Sequence, residues 1–232
     1  MKNPFQDFLS IKVKSKEIPL QGIVRAQEER IAHLIHRYSE VIDDAVSDQY
    51  RPGGEGWWDR VYERIAKGIP DVAYDRDDIQ DLCAELDRSA SEPCLIKEIA
   101  GLYISALINH ASEDHHVLIL EDEQITHSFL GYRLPRGKAL TLQGNAGDFI
   151  GARLAGGHLA VEGSAGNWCG AGMAHGKIEV KGNIGHNAGA WMEGGELRAA
   201  GHIRSVGKNL LGGSIYQGTR LLAPSEENVE KE

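Results

Sequence analysis

The chain has 232 residues, 41% of them apolar, enough to enclose one large core or two small ones. Its formal charge is −9, and the excess acid lies early: residues 1–110 carry 14 Lys and Arg against 20 Asp and Glu, whereas residues 117–232 carry 11 against 12. That balance argues against a nucleic-acid or anionic-membrane surface, where cations must face phosphates.

There is no basic-led apolar leader and no apolar run of about 18 residues. Cys83, Cys94 and Cys169 are scattered, with neither disulfide nor zinc spacing. A cytoplasmic protein is expected.

Residues 1–112 read as a helical domain of about four helices. Ile31, Leu34, Ile35, Tyr38, Val41 and Ile42 belong to one long stripe that "RPGGEG" (51–56) breaks. "WWDRVYERIAKG" is a second helix, with Trp58, Val61, Tyr62 and Ile65 on one face and Gly68 after its end. Trp57 and Trp58 point about 100° apart on a helix, so one belongs to the core and the other to a rim or interface. "DRDDIQDLCAELDRSA" is a third helix, with Asp75 as N-cap and Asp77 and Asp78 at the positive end of the dipole. The acidic run Asp71 to Asp87 reads as a solvated face; the alternative is a surface for a basic partner. "SEPCLIKEIAGLYISALINH" is the fourth helix, with Ser91 as cap, Pro93 in the first turn, and Leu95, Ile99, Leu102, Tyr103 and Ala106 inward. These helices form a bundle, or lie against the second half or a partner.

Residues 113–139 read as a connector and cap, with "VLILED" as a strand. The stretch around it gathers His110, Glu113, Asp114, His115, His116 and His127. His110, His115, His116 and His127 are the candidate metal ligands, in company with a carboxylate. The competing reading is a polar loop between helix and strand, because no H-E-x-x-H or C-x-x-C spacing supports a metal site.

From Leu140 the chain repeats. Leu140, Leu159, Ile178 and Leu197 are 19 residues apart, and the last unit is one residue short. Gly144, Gly163, Gly182 and Gly201 align, as do Gly147, Gly166 and Gly185, and Gly151, Gly170 and Gly189. Leu154, Met173, Met192 and Leu211 form an apolar column; Gly157, Gly176, Gly195 and then Ser214 close the units. The glycine columns fail at Arg204 and Lys208 in the fourth unit.

A repeat this short cannot bury its own core and must stack on its neighbours. Apolar–x–apolar–x–Gly gives one strand with two inward residues, and the glycines mark corners where positive φ or close stacking excludes a side chain. The fold class is therefore α+β: an N-terminal helical region followed by a parallel β-solenoid of about four 19-residue coils over 140–218, with 219–232 as a disordered acidic tail. A phosphate loop is disfavoured, because "GAGMAHG" lacks the G-x-G-x-x-G spacing and a following helix.

"GDFIGARLAGG" and "AGNWCGAGMAHGKIEVKG" resemble the GXGXG domain, the right-handed β-helix found at the C-terminus of the glutamate synthase large subunit and, as a separate polypeptide, in formylmethanofuran dehydrogenase. The resemblance covers residues of about 137–218 and implies a right-handed solenoid that acts as a structural spacer without catalytic residues of its own. The chain lacks the N-terminal cysteine nucleophile, the FMN barrel and the iron–sulfur cysteines of glutamate synthase.

Other residues of the repeat that carry chemistry are Asp148, His158, Cys169, His175, His186 and His202. The histidines fall in different columns, and Cys169 beside Trp168 has no base at a motif spacing. No catalytic residue and no cofactor is called for. The first functional expectation is a non-catalytic assembly protein whose rigid platform serves a protein partner or a homo-oligomer. The second is an accessory subunit of a redox or amidotransfer enzyme, as the resemblance implies. The third is a metal-dependent enzyme using the histidine-rich junction.

Overall fold

A computed structural model describes residues 20–47, 56–69, 73–88, 94–120 and 127–223. Most of "RPGGEG", the expected cap Ser91 with Pro93, and residues 224–232 lie outside them.

Four helices come first: α1 (Leu20–Ser47), α2 (Trp57–Gly68), α3 (Arg76–Arg88) and α4 (Cys94–His110). At α3 the carboxylate of Asp75 accepts from the amides of Asp77 (2.9 Å) and Asp78 (3.0 Å), and Asp78 reciprocates on the Asp75 amide at 3.0 Å. This reciprocal cap satisfies donors that the first helical turn leaves unpaired. Asp78 is fully buried and takes both forks of Arg30 from α1, at 2.7 and 3.0 Å. The acidic run is thus not simply a solvated face, because one of its members ties α3 to α1. On α2 the core residue is Trp57, 2% exposed, with Val61, Tyr62 and Ile65; Trp58 is half-buried at the rim, the reverse of the expected choice.

Seven strands follow: β1 (His115–Ile119), β2 (Ala139–Gln143), β3 (Ala155–Val161), β4 (His175–Val180), β5 (Glu196–Ala199), β6 (Ser214–Gln217) and β7 (Arg220–Ala223). They form one sheet in chain order. Strands β1 to β6 are parallel neighbours with no helix between them, so the chain must circle once between successive strands. This is the β-solenoid, with a 19-residue step along its regular part. Leu140, Leu159, Ile178, Leu197 and Ile215 stack in register, as do Leu142, Val161, Val180 and Ala199, and all are buried. Away from the sheet, Ala146, Ala165, Ile184 and Ile203 form another buried column. Leu154, Met173 and Met192 form a third.

The glycines act in two ways. Gly151, Gly170 and Gly189 hold φ of 64°, 70° and 65°, the left-handed region. A Cβ at Gly182 or Gly201 would instead fall within 2.7 Å of a carbonyl oxygen of the coil before.

Five sequence readings need correction. The residue missing from the fourth unit is lost between Ile203 and Val206, because Ile184 pairs with Ile203 while Ala188 pairs with Val206. The glycine column therefore continues at Gly207 rather than failing at Lys208, and Gly213, with φ 87°, closes the unit rather than Ser214. Leu210, packed against the core, continues the Leu/Met column, whereas Leu211 is 71% exposed. Residues 113–139 are more than a connector: β1 pairs with β2 from His115↔Ala139 onward and begins an additional, longer coil. Residues 220–223, assigned to the tail by composition, form β7 antiparallel to β6.

The cap on the first coil is α4. The Ser105 hydroxyl donates to the Phe129 carbonyl at 2.9 Å and accepts from the Tyr132 amide at 3.3 Å; the Asn109 amide donates to the Tyr132 carbonyl at 2.9 Å. Gly101 lies so close that a Cβ would run into the Ser128 carbonyl. On α3, Gln80 donates to the Ile119 carbonyl (3.2 Å) and accepts from its amide (2.8 Å), taking the place of a neighbouring strand on the β1 edge. Helices and solenoid share one continuous hydrophobic core.

Candidate binding cleft on the aromatic corner

One corner of the solenoid carries left-handed residues other than glycine. Phe129, Phe149, Trp168 and Asn187 recur there with φ of 62°, 58°, 61° and 60°. A side chain in that region costs about 1–2 kcal/mol. Stacking offsets part of it. Phe129 lies on Phe149 at 4.7 Å and 2°, Phe149 on Trp168 at 5.9 Å and 5°, and Trp168 on Trp191 at 5.3 Å and 7°. Each stacked pair adds about 0.5–1.5 kcal/mol beyond burial. Trp58 of α2 packs on Phe129 at 4.5 Å and closes the near end of the pile.

A second left-handed column runs beside it: Arg133, Arg153, Gly172, Trp191 and Asn209. Gly172 has no side chain between Arg153 and Trp191, and there the surface sinks into a cleft of about 680 Å³. Trp58, Phe149 and Trp191 give it an aromatic wall; Asp59, Arg153 and Glu193 supply charge, and Leu211 stands at the rim. A shallower hollow of about 470 Å³ adjoins it, lined by Tyr62, Asn109 and His110 and sharing Arg153, Gly172 and Glu193.

Asp59 organises the charges. It accepts from the Tyr132 hydroxyl at 2.7 Å and from Arg133 at 2.6 Å, and it pairs with Arg153 at 3.0 Å. Glu63 pairs with the other fork of Arg133 at 2.5 Å. Burial, then the hydrogen bond to Asp59, raises the Tyr132 hydroxyl above the ordinary tyrosine value, so it stays a donor. The cleft thus offers a rigid aromatic surface with fixed charges.

The candidate metal ligands are not gathered. His110 is exposed and bonds the Ala106 carbonyl of its own helix at 2.9 Å. His115 points outward beside Thr141 at 3.3 Å. His116 is buried at the head of the Leu140 column, 3.1 Å from the Glu113 carbonyl, and burial holds its imidazole below the ordinary histidine value. His127 is buried in the first coil. Among the described residues no group of three or more His, Cys, Asp or Glu stands close enough to hold a metal ion.

In the repeat, His158 pairs with Glu179 at 2.8 Å, His186 meets Ser205 at 3.2 Å, and His175 and His202 are exposed elsewhere. Cys169 is buried in the solenoid core, where desolvation pushes its thiol up to about 12. That is the state of a packing residue rather than a nucleophile. Asp148 holds the amide of Asn167 in the next coil at 2.6 Å.

Sequence reasoning missed the aromatic pile, although Phe149 and Trp168 are 19 residues apart. It also missed two polar columns. Asn145, Ser164 and Asn183 each accept from a backbone amide 19 residues on, at 2.8, 3.1 and 2.8 Å. Asp148 and Asn167 do the same at 2.6 and 2.8 Å.

Comparison of the chain with protein-family models, curated proteins and solved structures gives no match. Among the described residues no helix is long and apolar enough to cross a membrane.

Proposed function

We propose that this chain is a non-catalytic platform protein whose solenoid presents the aromatic cleft to a protein partner. The observation that carries the reading is the far end of the pile: Trp191 is 50% exposed beside Leu211, which is more exposed still, whereas most of the described large apolar side chains are buried. Exposed aromatic anchors on a rigid frame suit protein contacts, because little conformational entropy is lost on binding. The resemblance to the GXGXG spacer domain fits the same role.

The test is a photo-crosslinking residue placed at Leu211 in the full chain within its own cells, with Thr141 on the sheet face as the control position. One recurrent adduct from Leu211 alone supports the platform. Equal, diffuse labelling from both positions overturns it. Adducts with flavin-, molybdopterin- or iron–sulfur-bearing chains make the protein the accessory subunit that the resemblance implies.

A further inference from the structure

Twice among the described residues an arginine lies over an aromatic face while pairing with a carboxylate beside it. Arg198 stands 4.2 Å over the Tyr216 ring, with its Nε 3.3 Å from Glu196. Arg133 lies 5.3 Å from the centre of Tyr62 and 5.8 Å from that of Tyr132, and pairs with Asp59 and Glu63. A guanidinium does both at once because its plane meets the ring while its edge donates hydrogen bonds.

At the end of the aromatic pile, Trp191 and Glu193 line the same cleft. Trp191 has one face against Trp168, and half of the residue is open. Glu193 is exposed in the same cleft, and none of the described cations pairs with it. Arg153, also in the cleft, is held by Asp59 at 3.0 Å. Gly172 leaves the intervening space empty, and Leu211 offers an apolar shelf beside it.

We infer that Trp191 and Glu193 form a receptor for an arginine side chain carried by the partner protein. The guanidinium stacks on the open face of Trp191, its edge donates to the Glu193 carboxylate, and an apolar neighbour in the partner rests on Leu211. Asp59 and Arg153 compensate one another, so Glu193 is the uncompensated charge of the cleft and favours a cationic segment there. Lysine fits less well, because an ammonium is a point charge that cannot stack and pair through separate faces. The inference rests on the platform reading and names the chemistry of its partner.

The experiment uses the full chain labelled with ¹⁵N, its four tryptophan indole signals, and a Trp191→Phe variant to assign the one of interest. Acetyl-Leu-Arg-Leu-amide is titrated against its lysine and citrulline counterparts. The arginine peptide is expected to move the Trp191 indole signal saturably, the lysine peptide to bind about threefold more weakly, and citrulline to show no saturable shift. Glu193→Gln is expected to weaken the arginine peptide about fivefold while leaving the other indoles in place; Glu162→Gln, just beyond the end of β3, changes nothing. Gly172→Asn fills the cleft with a residue the same column already accepts at Asn209, and is expected to weaken binding as well.

No saturable Trp191 shift with the arginine peptide, equal shifts with citrulline, or indifference to Glu193→Gln overturns the inference. Sedimentation of the chain alone provides a further check: a dimer lost in Glu193→Gln makes the occupant a second copy and overturns the partner assignment. If the Leu211 crosslink persists while the arginine peptide fails, the arginine receptor falls alone; if both fail, the platform falls with it.

Discussion

At its first coil the solenoid meets a helix whose Gly101, Ser105 and Asn109 press against and hydrogen-bond the backbone at 128–132, and a glutamine, Gln80, that stands in for the next strand. At its last coil the closure is lighter: the β6–β7 hairpin covers the sheet side, and Gln217 accepts from the Ile203 amide at 3.1 Å. Glutamine side chains thus satisfy the backbone at both ends, but among the described residues only the first end is also buried under apolar helices. A stack of parallel coils templates further stacking unless its ends are covered. The covered end is stability; the lighter end, with Trp191 and Leu211 beside it, is where contact with another molecule is least obstructed.

The largest expected effect contrasts the middle of the stack with its light end. Ile178→Ala opens a cavity in a fully buried column and is expected to cost about 3 kcal/mol, whereas Leu210→Ala, at the half-buried final position, costs about 1 kcal/mol or less. Urea unfolding of both variants measures the difference, and equal losses would mean the last coil is as well packed as the centre. At the covered end, Gly101→Ala forces α4 away from Ser128 and is expected to cost about 2 kcal/mol. Hydrogen exchange should then rise at 127–134 before it rises in β4 or β5.

The two glutamines give a smaller and more symmetrical pair. Gln80→Ala and Gln217→Ala each remove contacts to edge backbone and are expected to cost about 1 kcal/mol. A loss at Gln217 clearly above that at Gln80 would show that the light end depends more heavily on its glutamine.

The smallest effect is a pH dependence at the covered end. His116 is buried with its imidazole below its ordinary value of 6.5, so the folded state binds fewer protons there than the unfolded state. Its contribution is fully present above that ordinary value and is lost as pH falls toward the lowered folded value. Stability is expected to drop as pH falls below the ordinary histidine value, and His116→Gln is expected to shallow that drop. An unchanged slope would exclude His116 as a cause.

The solenoid was legible because its signal is repeated: inward pairs such as Leu159 with Val161 and the glycine columns recur in register. The last unit misled because a single missing residue can be placed at several points. Only the pairing of Ala188 with Val206 locates it near Arg204 and Ser205. The docking of α4 carried a readable trace, since Gly101, Ser105 and Asn109 recur every four residues on a helix whose stretch from Ile99 to Ile108 is otherwise apolar or aromatic. That trace names a close-packed face without naming what it faces. The cleft was hardest to read, because it depends on residues far apart in sequence, Trp58 and Asp59 on a helix and Trp191 and Glu193 in the fourth coil, and on a side chain that Gly172 lacks.

The polar columns have a consequence for how such a chain changes over time. Because Asn145, Ser164 and Asn183 each hold an amide one full turn later, a coil carries within itself the means of accepting a copy of itself. Duplicating residues 159–177 in place would lengthen the rod by one inter-strand spacing, about 4.8 Å, with every bond re-formed to a like neighbour. The shortened final unit is where that grammar stops: a further coil placed there would inherit a register one residue out of phase. Length in this molecule is thus a heritable quantity that can vary in whole coils, with its terminus marked by an irregularity in phase.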